Sequence, residues 1–135
     1  MKKLTLRACV DNLQKVRAFV GSFLEPVNCS AEDRYQLCLV VDELFTNIAS
    51  YAYGPEGGCA TIQLEFDGVL RTVRVTMIDQ GMPFNPLERA GPDIMESIDD
   101  RPIGGLGIFI MKQTMDSVSY DYADGQNIVS FSKRL

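Results

Sequence analysis

Apolar residues recur along this chain with two different periods, and the order in which the periods alternate constrains the fold more than any other feature. Leu4, Leu6, Ala8 and Val10 alternate with polar neighbours, the period of a half-buried strand. Asp11 or Asn12 is placed to cap a helix running to about Leu24, with Leu13, Val16, Phe19 or Val20, and Phe23 on its apolar face and Pro26 near its end. Ser30-Ala31-Glu32-Asp33 reads as a capping box with Asp in the usual Glu place. It opens a second helix in which Cys38, Val41, Leu44 or Phe45, Ile48 and Ala52 keep helical spacing. Gly54-Pro55-Glu56-Gly57-Gly58 stops that helix.

The period then returns to two. Ile62, Leu64 and Phe66 mark a strand, Asp67-Gly68 a turn, and Val73, Val75 and Met77 one face of a strand from about Leu70 to Ile78. Residues 79–102 change character, with Pro83, Pro86, Pro92 and Pro102 among Gly81 and Gly91 and room for a short helix over Asp93–Ile98. Gly104-Gly105-Leu106-Gly107 opens a helix to about Met115. Val118, Tyr120 and Tyr122 alternate, Asp124-Gly125 turns, and a last strand runs from about Ile128 to Lys133. The order β-α-α-β-β-loop-α-β-β predicts an α+β two-layer sandwich, its sheet mixed but mostly antiparallel and its helices on one face. A length of 135 residues suits one domain, 1–135, with one core.

Composition excludes several chemistries. The net charge of −5, without a long Lys/Arg run, offers little to a phosphate backbone, so no direct nucleic-acid partner is expected. There is no histidine, which removes Ser-His-Asp and Cys-His catalysis and leaves a carboxylate, or less commonly Lys, Tyr or Cys, as general base. Cys9, Cys29, Cys38 and Cys59 have no metal-clip spacing and are expected to be buried free thiols in a reducing compartment. No apolar run follows Lys2-Lys3 and none is long enough to cross a bilayer, so a cytoplasmic chain with no membrane partner is expected.

Three elements carry chemistry. Glu43, Asn47 and Tyr51 stand at i, i+4 and i+8, one row along the second helix with Asp42 and Thr46 beside it. Read alone, the row is a solvated helix face with an i, i+4 Glu–Asn hydrogen bond. Asp79 has the strand parity of Val73, Val75 and Met77, which puts a carboxylate on the apolar face, where it needs bonding partners. It is a candidate to read a ligand donor, or simply the start of a turn. Gly81 follows, allowing close backbone approach or a positive φ. Gly104-Gly105-Leu106-Gly107 is a glycine-rich helix start whose amides can cradle phosphate, although neither the dinucleotide nor the P-loop pattern is present.

In their order these elements resemble the ATPase superfamily shared by gyrase B, heat-shock protein 90, histidine kinases and mismatch-repair proteins. The nearer resemblance is to its anti-sigma-factor serine/threonine kinase branch. Val41-Asp42-Glu43-Leu44-Phe45-Thr46-Asn47 through Ala52-Tyr53-Gly54 is similar to the branch's first motif, and Asp79-Gln80-Gly81-Met82-Pro83-Phe84-Asn85-Pro86 to its second. Gly105-Leu106-Gly107-Ile108-Phe109 through Met115-Asp116-Ser117-Val118 is similar to the third, and Gly125-Gln126-Asn127-Ile128-Val129 to Leu135 to the end of the domain. Tyr51 departs from the pattern, standing where the branch commonly has a His, and Tyr does not titrate near neutral pH.

The resemblance implies a Bergerat-type ATP-binding fold that uses ATP and Mg²⁺. By matching position, Asp79 accepts a hydrogen bond from the adenine amine, with Gly81 beside it and Ser130 assisting through its hydroxyl or a water. Asn47 is the Mg²⁺ ligand, Gly105 and Gly107 let backbone amides approach the phosphates, and Glu43 is the catalytic base. The segment at about 80–103 is a lid over the phosphates. The implied partners are an anti-sigma antagonist, phosphorylated on Ser or Thr, and a sigma factor, with a homodimer common in the family. A nucleotide-gated binding regulator without catalysis is the alternative.

Overall fold

The computed structural model describes residues 1–88 and 105–135; the expected helix at Asp93–Ile98, Gly104 and most of the expected lid lie outside them. Strand β1 (Lys2–Arg7) leads through a 3₁₀ turn at Val10–Asn12 into α1 (Leu13–Leu24). A second 3₁₀ turn, Glu25–Val27, holds Pro26 in its first positions, and Asn28 then takes the left-handed conformation at φ 62°. Helix α2 (Ala31–Asn47) starts where the capping reading places it, with the Ser30 hydroxyl accepting from the Asp33 N–H at 3.0 Å. It continues into a single wide π turn, Ile48–Ala52. The hairpin β2 (Cys59–Asp67) and β3 (Thr72–Asp79) is closed by the Asp67 carboxylate, which accepts from the amides of Val69 and Leu70. After a 3₁₀ turn at Pro86–Glu88 come α3 (Leu106–Thr114), β4 (Ser117–Ala123) and β5 (Gln126–Arg134).

The five strands of the described residues form one sheet in the order β1-β2-β3-β5-β4, and every pairing among them is antiparallel. The core is a single layer between this sheet and the helices. Val16, Val20, Leu37, Val41, Ile108 and Met111 meet Ile62, Leu64, Val75, Met77, Val129 and Phe131, all nearly or fully buried. On α1 the buried stripe is Val16, Val20 and Leu24, so Val20 takes the core place over Phe19. The other face of the sheet carries hydroxyls that bond across strands: Thr5 with Thr61 at 2.9 Å, Thr76 with Ser130 at 3.2 Å and Ser117 with Ser132 at 2.5 Å.

The cysteines correct one expectation. Cys9, Cys29 and Cys38 are half-buried and Cys59 is exposed, because Cys59 opens β2 at the turn and Cys38 sits at the margin of the α2 core stripe. Among the described residues, no helix is long and apolar enough to cross a membrane.

Candidate functional site

Asp79 is the last residue of β3 and shares the parity of Val73, Val75 and Met77, so its side chain enters the core layer and is only 6% exposed. A carboxylate so placed requires donors. Oδ1 has two, the Gly81 N–H at 2.8 Å and Asn127 Nδ2 at 3.0 Å. Oδ2 has no hydrogen-bond partner among the described residues. Asn127 lies opposite Asp79 in the β3–β5 register. Its Nδ2 also donates to the Met82 carbonyl at 2.8 Å, while its Oδ1 accepts from the Phe84 N–H at 3.0 Å and the Tyr120 hydroxyl at 2.5 Å. Desolvation raises the Tyr120 pKa above its ordinary value, keeping the phenol a donor.

Above this pair lies a slot lined by Leu44, Asn47, Ile48, Ala52, Met77, Asp79, Phe84, Asn127 and Val129. It holds about 370 Å³ of empty space, counting its open mouth. Its walls are apolar and its polar groups few. That is a setting for a flat apolar ring with a donor at one edge.

The polar row of α2 supplies the rest. Glu43 and Asn47 are one turn apart. Asn47 is 7% exposed and lines the slot; its Nδ2 is fully buried with no hydrogen-bond partner among the described residues. A buried donor left unpaired is costly and marks a place where a ligand completes the structure. Glu43 is half-buried, and its Oε1 accepts from the Gly105 N–H at the start of α3. Tyr51 does not continue the row as a regular helix would place it, because the π turn intervenes. It is 52% exposed and borders a separate open groove with Pro83, Phe84, Asn85 and Glu88.

Each glycine of the site has its own reason. A Cβ on Gly81 would lie 2.2 Å from the Ala52 carbonyl oxygen, so close approach, and not a positive φ, is why glycine stands there. The neighbouring Met82 N–H donates to that same carbonyl at 3.0 Å. Gly105 adopts φ 95° with nothing crowding it among the described residues, so its requirement is conformational. A Cβ on Gly107 would lie 2.3 Å from Glu43 Cβ, so its missing side chain lets α3 close onto α2 beside the carboxylate. Tyr53 ties the periphery together. Its hydroxyl donates to the Cys59 carbonyl at 2.6 Å and accepts from the Gln80 N–H at 2.8 Å, and burial raises its pKa.

Of the expected site residues, Asn47 and Asp79 line the slot, Gly81 bonds Asp79, and Gly105 and Gly107 meet Glu43 one helical turn from Asn47. Ser130 does not join them. It bonds Thr76 Oγ1 and Arg74 Nη1, both at 3.2 Å, on the opposite face of the sheet. An odd separation from Asn127 and Val129 along β5 accounts for the displacement. Asn127 is the site residue that sequence reasoning missed. The signal was available, because it shares the parity of Val129 and Phe131 and, like Asp79, is a polar residue on an apolar row.

An α+β sandwich with a buried carboxylate over such a slot, and a glycine-started helix at its rim, defines a nucleotide-binding class of domain. The chain belongs to the histidine kinase-like ATPase domain family, which matches residues 6–133, and nucleotide use follows from that membership. It is 36% identical over 98 residues to the serine/threonine-protein kinase BtrW of Bordetella bronchiseptica, spanning 73% of this chain and 68% of that protein. It is 26% identical over 136 residues to the anti-sigma F factor of Pasteuria penetrans, spanning 98% and 89%. To the serine-protein kinase RsbW of Staphylococcus aureus it is 23% identical over 137 residues, spanning 98% and 86%. Among solved structures, the RsbU and RsbW domains of Rv1364c from Mycobacterium tuberculosis match all of this chain with a TM-score of 0.65 at 15% identity. This chain spans 33% of that one. The histidine kinase domain of Erythrobacter litoralis EL346 matches 93% of this chain with a TM-score of 0.58 at 16% identity, over 60% of its own length. These two likenesses establish the fold.

Proposed function

We propose that this chain is an ATP-dependent anti-sigma factor of the cytoplasm, a serine/threonine kinase that phosphorylates an anti-sigma antagonist and binds a sigma factor. The observation that carries the reading is a buried carboxylate with one oxygen unbonded and a buried carboxamide with an N–H unpaired among the described residues, both lining one apolar slot. The names of the relatives, kinases and an anti-sigma factor, support those two roles.

In this reading Asp79 Oδ2 accepts from the exocyclic amine of adenine. Guanine would present an oxygen there, and two acceptors repel. Asn47 Oδ1 makes no hydrogen bond among the described residues and is a hard oxygen. It therefore fits a hard cation, and Asn47 would hold Mg²⁺ there. The ion would supply positive charge against the phosphates. The amides at the start of α3 hold phosphate oxygens, with Gly105 supplying the left-handed entry into that helix. Glu43 takes the proton of a Ser or Thr hydroxyl on the partner as that oxygen bonds to the γ-phosphorus and ADP departs. Its carboxylate is held by the Gly105 N–H in the described geometry. A phosphate oxygen that takes this amide frees it.

The test is incubation of the purified chain with γ-labelled ATP and a candidate antagonist. Label on a Ser or Thr of the antagonist is expected. If no antagonist is labelled while ATP changes affinity for a sigma factor, the chain is a nucleotide-gated binding regulator instead.

A further inference from the structure

Asn127 is 3% exposed and has every hydrogen-bonding position of its carboxamide filled. Its orientation is forced by chemistry. Asp79 Oδ1 and the Met82 carbonyl only accept, so they face Nδ2. The Phe84 N–H only donates, so it faces Oδ1. Nothing in the roles proposed above uses this residue. We infer that Asn127 is a positioning residue that locks the base-reading carboxylate and the stem leaving β3 into one unit, so that preference for adenine depends on it. The inference rests on the proposed ATP site.

Two consequences follow from the bonds. With Gly81 N–H and Asn127 Nδ2 both on Oδ1, Asp79 is held against rotation, and only Oδ2 is left to accept from a ligand. Asn127 also grips the backbone on both sides of Pro83, at the Met82 carbonyl and the Phe84 amide, and Phe84 is a wall of the slot. One side chain therefore sets both the acceptor and the width of the space over it. A Ser or Thr hydroxyl has one proton to donate and a shorter reach, and could not hold Asp79 and Met82 together. The Tyr120 hydroxyl, reaching across from β4, braces the carboxamide from behind.

The experiment compares binding of ATP with purine riboside triphosphate, which carries hydrogen in place of the exocyclic amine, by calorimetry on the whole chain. The parent is expected to prefer ATP by roughly 10- to 100-fold, the worth of a hydrogen bond to a charged group. In Asn127→Ala that preference should collapse toward unity. Asn127→Asp sets a second carboxyl against Asp79, and such pairs share a proton as pH falls. Its preference should be absent at about pH 8 and partly restored at about pH 5.5. A residue that merely supported folding would not move this profile. Tyr120→Phe keeps the ring and should lower the preference by roughly 2- to 10-fold; it carries the test if Asn127→Ala does not fold. A second arm uses no nucleotide: hydrogen exchange at the Phe84 amide, slow in the parent and faster in each variant. If the parent binds neither nucleotide, the ATP site falls and the exchange arm still decides on the unit. Asn127→Ala or Tyr120→Phe that keeps the parental preference overturns the inference, as does unchanged exchange at Phe84.

Discussion

At the Asp79 end of the slot the polar groups are bonded to one another before any ligand arrives, whereas at the Glu43–Asn47 end they are not. The Asp79–Asn127 pair uses all its hydrogen-bonding groups except Asp79 Oδ2 among the described residues. Asn47 Nδ2 is buried without a partner there, and Glu43 holds an amide that belongs to the start of the neighbouring helix. Asn47 is as deeply buried as Asp79, so the difference between them is one of completion, not of solvent. A pre-bonded end discriminates, since its geometry is set before binding. An unfinished end responds, since a ligand there satisfies groups that the free protein leaves unpaired.

This contrast can be broken at several points. Glu43→Gln should have the largest effect. It keeps the acceptor oxygen for the Gly105 amide but has no basicity. Phosphoryl transfer to an antagonist should slow by roughly 10²- to 10⁴-fold with ATP affinity retained, as read by single-turnover labelling. A parental transfer rate would remove Glu43 from the chemistry.

Asp79→Asn comes next. The two donors on Oδ1 leave the new amide no choice of orientation: its oxygen must face Gly81 and Asn127, and its NH₂ must face the adenine amine. ATP affinity should fall by roughly 10- to 100-fold by calorimetry. Undiminished binding would make Asp79 a turn residue only.

Gly107→Ala probes the join between the helices. The added methyl would meet Glu43 Cβ and Cγ and the Leu39 carbonyl. A loss of about 1–3 kcal/mol is expected in urea unfolding without nucleotide. An unchanged midpoint would mean that α3 sits farther from α2 than described.

Asn47→Leu should have the smallest effect on the free protein and the opposite sign. It removes a buried donor that has no partner to lose, so stability should hold or rise by about 1 kcal/mol. Mg²⁺-dependent ATP binding should disappear in the same variant. A clear destabilisation would show that Asn47 is already satisfied, and the two ends would then be alike.

Much of this was legible before the structure. Strand parity alone put Asp79 on the buried face, and helical spacing alone put Glu43 and Asn47 on one side of α2. What parity offered in β3 it also offered in β5. There, assignment by family position chose Ser130, and the sheet turns that residue outward while it turns Asn127 in. The bonds of Asn127 could not be read, because they depend on a register between strands some 48 residues apart in sequence. Nor could the divergence of Tyr51 from the Glu43–Asn47 row. Ile48–Ala52 has ordinary helical spacing, and nothing in it announces a change of winding. Gly81 and Gly107 were recognisable as special, but their neighbours, Ala52 and Glu43, come from elsewhere in the chain.

The π turn bears on how the length of this chain can vary. A π turn is an α-helix with one residue too many, and each residue of an α-helix advances it by about 100°. Deleting a single residue within Ile48–Ala52, Ser50 for example, would let the winding relax to α and swing everything after it around the helix axis. The Ala52 carbonyl would then no longer meet the Met82 amide, and Tyr53 would lose its place between Cys59 and Gln80. Helix ends usually absorb a lost residue in the following loop. Here the reading frame of the helix is fixed by what is bonded beyond it, so homologues that keep the slot are expected to keep the residue count from Asn47 to Tyr53, whatever side chains they place between.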